Sequence, residues 1–243
     1  MVKNPIDKKS GYRTKSSHNW QKKPGGFDAL NARWLFPSGN SYAIPDLALN
    51  TGLEVPKWLV PYKSRLRDKA AMAEGGLHGF LDDYRLESLW TQPTKALPYL
   101  AKFGTVITPD FSLWRDHPYP IWLWNTYRSR WLGALWQSYG IKVVPSLSWS
   151  REASFKFCFL GVPEGSMVAI STVGTAKDEL AVKLFRVGFL AMLEQIKPSA
   201  LLCYGKLAEG WSGECAEVGV RVVEYPTYWQ GLKAAKQHGS EAH

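Results

Sequence analysis

Gly76-Leu77-His78-Gly79-Phe80-Leu81-Asp82-Asp83-Tyr84-Arg85 runs from an apolar segment straight into two adjacent carboxylates, an aromatic and an arginine. With 77–81 as a buried strand, Asp82 and Asp83 fall at its carboxyl end, where open α/β sheets and barrels place their active sites. The other reading is an N-cap on a following helix, since Asp is a favoured capping residue. One of the two acids can serve that way; both cannot cap the same helix.

Outward from this stretch a rhythm sets in. Strand-like apolar runs fall at 77–81, 105–108, 141–147, 167–171, 200–204 and 220–224, with helix-like stretches at 86–103, 120–139 and 177–196 between several of them. Strands alternating with helices predict an α/β fold with a mostly parallel sheet and crossover helices. Six strands over this length suit an incomplete, barrel-like sheet or an open twisted one. Residues 55–62 are extended and bounded by Pro56 and Pro61, which fits a covering segment better than a central strand. The expected organisation is a basic arm over 1–26, a covering segment over 27–76, an α/β core over 77–232 and a tail over 233–243.

In a parallel sheet all carboxyl ends share one rim, and each expected strand delivers polar or aromatic residues there. Pro109 lacks an amide donor and should end the second strand, leaving Asp110 and Ser112 at the edge. The third strand ends near Trp149, the fourth in Ser171 and Thr172, the fifth in Tyr204. In the helix after Asp110, Asn125, Arg128 and Ser129 lie three and four apart and share a face. The candidate catalytic residues are therefore Asp82, Asp83 and Asp110. The candidate substrate contacts are Tyr84, Arg85, Ser112, Asn125, Arg128, Trp149, Ser171, Thr172 and Tyr204. Neighbouring like charges raise one another's pKa, which makes a carboxyl useful as an acid or base near neutrality. His78, inside the first strand, reads as a core imidazole.

The net charge of +9 is concentrated at the amino end. Within 1–26, Lys3, Lys8, Lys9, Arg13, Lys15, Lys22 and Lys23 face Asp7 alone. Such an arm buries too little apolar surface to fold alone and suits a polyanion, so DNA is the expected partner. Some of the 12 tryptophans can serve as base-stacking platforms, although most must be core. The three cysteines are too scattered for a disulfide framework or a zinc site, and the five histidines show no metal-ligand spacing. No signal peptide or membrane-spanning run is visible, so a soluble, cytoplasmic protein without a membrane partner is expected. Phosphate-loop, dinucleotide and nucleophile-elbow motifs are absent.

An ordered set of motifs resembles a family of unknown function numbered 4417, found in phages and mobile elements. The set comprises Val55-Pro56 through Tyr62, Leu77-His78-Gly79-Phe80-Leu81-Asp82-Asp83-Tyr84-Arg85-Leu86-Glu87, Trp90-Thr91-Gln92-Pro93, Thr108-Pro109-Asp110-Phe111-Ser112 and Trp124-Asn125-Thr126-Tyr127-Arg128-Ser129-Arg130. It continues through Phe157-Cys158-Phe159-Leu160-Gly161-Val162-Pro163, Ser171-Thr172-Val173-Gly174 and Tyr204-Gly205. The resemblance implies a phage or mobile-element setting, favouring DNA as partner, and brings no established chemistry. Where the family has a second aromatic after the histidine, this chain has Gly79, expected to open space near Asp82.

Three functions fit these residues. A base-excising enzyme of the DNA glycosylase kind needs one activating carboxylate, an aromatic pocket for an extruded base and cations for flanking phosphates. Here Asp82 or Asp83 is the base or electrostatic stabiliser, Asp110 its partner, and Arg85 and Arg128 bind phosphate or base, with no cofactor. A nuclease would instead gather Asp82, Asp83 and Asp110 around Mg²⁺. In a non-catalytic DNA-binding protein the acids only position arginines. Few acids among many aromatics and arginines favour N-glycosidic hydrolysis.

Overall fold

The computed structural model describes residues 29–230 apart from 33, 51, 65, 67, 228 and 229. The basic arm, with Lys8, Lys9, Arg13, Lys15, Lys22 and Lys23, and the tail over 233–243 lie outside the described residues. Among the described residues, seven strands form two all-parallel sheets: β1 (Leu59–Pro61), β2 (Gly76–Gly79), β3 (Thr105–Pro109) and β4 (Val143–Val144) in one, β5 (Met167–Ser171), β6 (Ala200–Tyr204) and β7 (Arg221–Tyr225) in the other. Both sheets run in chain order. A parallel Ser146–Ala169 bridge joins them, the Leu147 amide donating to Ala169 and the Ala169 amide to Pro145. The expected mostly parallel, incompletely closed α/β architecture is what the chain adopts.

β5 and β6 are apolar runs buried on both faces, which is how strands covered on two sides read. One side of the array forms an inner cluster of Ile107, Val144, Met167, Ala169, Leu202 and Tyr225, with Leu53, Val55 and Leu59 packed against it. The array curls: His78 and Phe80 on the β2 side stack against Tyr204 of β6 at 4.4 and 5.5 Å between ring centroids. The Tyr225 hydroxyl donates to the Pro56 carbonyl at 2.6 Å, so β7 approaches the entry to β1 without a ladder. At the opposite end of the seam, the Asn50 amide donates to the carbonyls of Val143 and Met167 at 3.2 and 2.8 Å and accepts from the Met167 amide at 2.8 Å.

The helices are α1 (Lys69–Glu74), α2 (Asp83–Thr91), α3 (Leu97–Leu100), α4 (Tyr119–Ser138), α5 (Glu179–Ile196) and α6 (Trp211–Glu217). α4 starts with Pro120 in its first turn and is buried along most of its length. It lies between the first sheet and the 29–50 segment, whose Trp34 carbonyl accepts from Trp131 Nε1 at 2.8 Å. α5 is capped by Asp178, which accepts from the Ala181 amide, and ends at Lys197 in the left-handed region before Pro198.

Four local expectations change. The stretch 86–103 is two helices, because Pro93 cannot donate within a helix and α2 stops at Thr91. The run 141–147 carries only a two-residue strand, since Pro145 interrupts the amide ladder. Residues 59–61 join the sheet at its edge, so β1 and α1 fall inside the stretch expected to be covering. Gly79 opens no space: a Cβ there would lie 2.9 Å from Pro109 Cα, so the glycine lets β2 and β3 approach at a register shift.

Candidate functional site

Because all strands point the same way, the loops after β2, β3, β4 and β5 meet at one rim. Asp110 follows β3 directly, its amide donating to Gly79 O at 3.2 Å. The residue is half-buried, but its Oδ1 is sealed from solvent and has no hydrogen-bond partner. Burial raises its pKa from 3.8 to about 7, against a hydrogen bond from Ser148; the Asp83 charge adds to the rise and Arg130 opposes it. Asp110 is thus a carboxyl able to give or take a proton near neutrality.

Asp83, the first residue of α2, is joined to the loop after β3. The Ser112 amide and hydroxyl donate to its Oδ1 at 3.0 and 2.9 Å. The Ser112 carbonyl in turn accepts from Asn125 Nδ2 at 2.7 Å, so α2, the β3 loop and α4 meet at one serine. Asp82 occupies the N-cap position but makes no side-chain cap bond and is exposed. Of the three acids, the fold brings Asp83 and Asp110 into electrostatic contact and leaves Asp82 at the surface.

Arg128 is buried and committed. It donates to Glu87 at 2.6 Å and Asn125 Oδ1 at 2.8 Å, and its guanidinium lies 3.9 Å from the Phe111 ring centroid. That arrangement ties α4 to α2. Arg130 is also buried, donating to the carbonyls of Leu160, Ser146 and Cys158 at 3.1, 2.9 and 2.9 Å. Burial lowers its pKa to about 10, with Cys158 and Asp110 opposing. A charge held only by carbonyls leaves Asp110 as an influential counter-charge, a role that the sequence did not assign to Arg130. Tyr84 (77% exposed) and Arg85 lie on the solvent side of α2.

An open cleft of about 430 Å³ sits at the rim, within the size range of small-ligand sites. Its walls come from the β3 loop (Ser112, Trp114, Arg115), the β4 end (Trp149) and the β5 loop with the start of α5 (Lys177, Phe185). Trp149 stacks on Phe185 with centroids 5.1 Å apart and 22° between planes. Asp110 does not line the cleft; it stands two residues before Ser112, and Ser148, the neighbour of Trp149, partly offsets the rise of its pKa. Ser112 and Trp149 are thus the expected residues that the cleft gathers. Trp114, Arg115, Lys177 and Asp178 are the ones missed, although they lie just beyond strand ends where the rim rule looks.

Ser171 ends β5 and Thr172 begins the loop after it. Ser171 Oγ accepts from the Val173 amide at 3.2 Å, and the Thr172 amide donates to Tyr204 O at 3.1 Å. Tyr204 is buried in the ring stack with His78 and Phe80. His78 is the expected core imidazole: its Nδ1 accepts from the Phe80 amide, and burial, aided by Arg85, lowers its pKa to about 3. Among the described residues, no group of three His, Cys, Asp or Glu side chains is placed to hold a metal ion, and no helix is long and apolar enough to cross a membrane.

The comparisons with known proteins agree with this chain's own motifs. The Gene 1 protein of Mycobacterium phage D29 is 46% identical over 221 residues, covering 90% of this chain and 79% of the relative. The Gene 1 protein of Mycobacterium phage L5 is 44% identical over 218 residues, covering 89% and 92%. No solved structure matches the chain. The model of the family described as Domain of unknown function (DUF4417) matches residues 36–226, from within the 29–50 segment through the end of β7. The chain therefore belongs to the DUF4417 family, with relatives encoded by mycobacteriophages.

Proposed function

We propose that the protein is a DNA hydrolase of the glycosylase kind, in which the rim cleft receives an extruded nucleotide and Asp110 is the acid–base group. One observation carries the proposal: Asp110, near neutrality at the end of a parallel strand, is held between two loops that wall an aromatic cleft. In the reaction, the oxygen of a water bonds to the sugar C1′ as the C1′–N bond breaks. The base leaves with the electron pair and takes a proton from solvent, while the water's proton passes to the Asp110 carboxylate, which stands behind the cleft wall and is reached through a second water. Asp83, behind the cleft wall and bonded to Ser112, adds negative charge toward an oxocarbenium-like sugar. The aromatic walls offer stacking worth about 1–3 kcal/mol per base. The basic arm and the phage relatives support DNA as the partner.

The Mg²⁺ nuclease has less support, because Asp82 stands exposed and Asp83 is engaged by Ser112. A non-catalytic DNA-binding protein has one observation in its favour: Asp110 Oδ1 is sealed, which suits a counter-charge for Arg130. The deciding experiment incubates the full-length protein with modified and unmodified phage DNA and scores abasic sites by alkaline cleavage. Release of base that falls about 100-fold or more in Asp110→Asn supports the proposal. Mg²⁺-dependent nicking without abasic product supports the nuclease, and DNA binding with neither product supports the non-catalytic protein.

A further inference from the structure

Arg115 and Asp178 face each other across the cleft as a two-toothed fork: Nη1 donates to Oδ1 at 2.8 Å and Nη2 to Oδ2 at 2.9 Å. Arg115 belongs to the loop after β3 and Asp178 caps α5, so the pair connects two opposite walls of one cavity. Both side chains are open to water, at 42% and 44% exposure, and an ion pair so placed contributes little net stability. The same fork geometry fits two phosphate oxygens.

A second cation stands beside it. Lys177 Nζ lies 5.2 Å from the Trp114 ring centroid and close to the Gly174 turn, with its side chain lining the same cavity. Asp178 also has a second occupation, since its Oδ1 accepts from the Ala181 amide at 2.8 Å. When Arg115 leaves, Asp178 still caps the helix and is not stranded.

We propose that the Arg115–Asp178 pair is a phosphate site held closed by an internal carboxylate, and that a nucleotide phosphate displaces Asp178 from Arg115 while Lys177 takes up the remaining charge. The inference deepens the reading of the cleft as a nucleotide site and rests on it. It makes an asymmetric demand. The two partners of a purely structural ion pair fail in the same direction when mutated; a ligand site with an internal competitor does not.

The experiment measures calorimetric binding of a 5′-phosphorylated trideoxynucleotide to the full chain and to Arg115→Gln, Lys177→Gln and Asp178→Asn, with helical content as a folding control. Asn is itself a good N-cap, so Asp178→Asn keeps α5 capped. Binding should tighten at least about fivefold in Asp178→Asn and weaken about tenfold in Arg115→Gln, with a smaller loss in Lys177→Gln. Increasing salt should weaken every one of these complexes. Loss in both Arg115→Gln and Asp178→Asn, no change in either, or no binding by any of the four proteins overturns the proposal. Asp110→Asn is assayed alongside. If its base release collapses while the latch variants bind like the parent, the hydrolase reading stands and the phosphate latch alone falls.

Discussion

Asp83 and Ser112 are joined twice through one carboxylate oxygen, the serine amide at 3.0 Å and its hydroxyl at 2.9 Å both donating to Oδ1. The start of α2 therefore grips the loop that carries Asp110 at one end and the cleft wall at the other. Asp83→Ala removes both bonds and leaves the Ser112 amide partly buried without a partner. Urea unfolding should show a loss of about 1–3 kcal/mol. Asp83→Asn keeps an acceptor for both donors and should recover most of it.

Asp110 sets a sign for the pH dependence of stability. Its folded-state pKa is raised to about 7 from 3.8, so between these values the folded chain holds a proton that the unfolded chain has released. Stability from this group is present below about pH 4 and is lost as pH rises through about 7. At about 1.4 kcal/mol per pH unit the loss is on the order of a few kcal/mol. Urea midpoints from pH 4 to 8 should show the parent losing stability relative to Asp110→Asn across that window. A flat difference would show that the acid is not buried as described.

Asn50 spans the bases of β4 and β5 with three hydrogen bonds. Asn50→Ala leaves the Met167 amide and two carbonyls short of a partner, and about 2–3 kcal/mol of stability should go with them. Hydrogen exchange should speed up first at the Met167 amide, before β6 is affected.

Gly188 is where α5 meets the Trp149 ring: an added Cβ would stand 2.2 Å from two of its atoms. Gly188→Ala must push the indole toward the cleft. The expected result is a stability cost of about 1–3 kcal/mol together with weaker trinucleotide binding. Retained affinity would remove Trp149 from the cleft's working surface.

Much of this was legible from the residues. β5 and β6 are runs of apolar side chains ending in hydroxyl or aromatic groups, and strands buried on both faces leave that trace. The stop of β3 at Pro109 is a covalent fact visible to any reader. β1 was obscured because Pro56 precedes it and Pro61 is its last residue, and only three-dimensional pairing shows that its edge position tolerates them. Arg128 and Arg130 stand two residues apart on one helix; the fold turns one onto Glu87 and Phe111 and the other onto three carbonyls. That choice depends on which helix face meets which strand end, and spacing along one chain does not contain it. The cleft needed two loops, 114–116 and 173–178, to approach each other, and neither carries a motif alone.

The narrow join between the sheets has a practical corollary. The turn over 161–166 separates everything through β4 from everything after it, and across that boundary the sheet is held by the Ser146–Ala169 bridge and its two amides rather than by a full ladder. Side chains carry the rest of the union: Ile44, Leu147 and Phe157 from one part share a core with Phe189 and Leu201 from the other. A chain severed within that turn should reassemble when its two fragments are expressed together. Because Trp114 and Arg115 come from one fragment and Lys177 and Asp178 from the other, the rim cleft would exist only in the reunited pair. The join thus makes the cleft a natural reporter for fragment complementation.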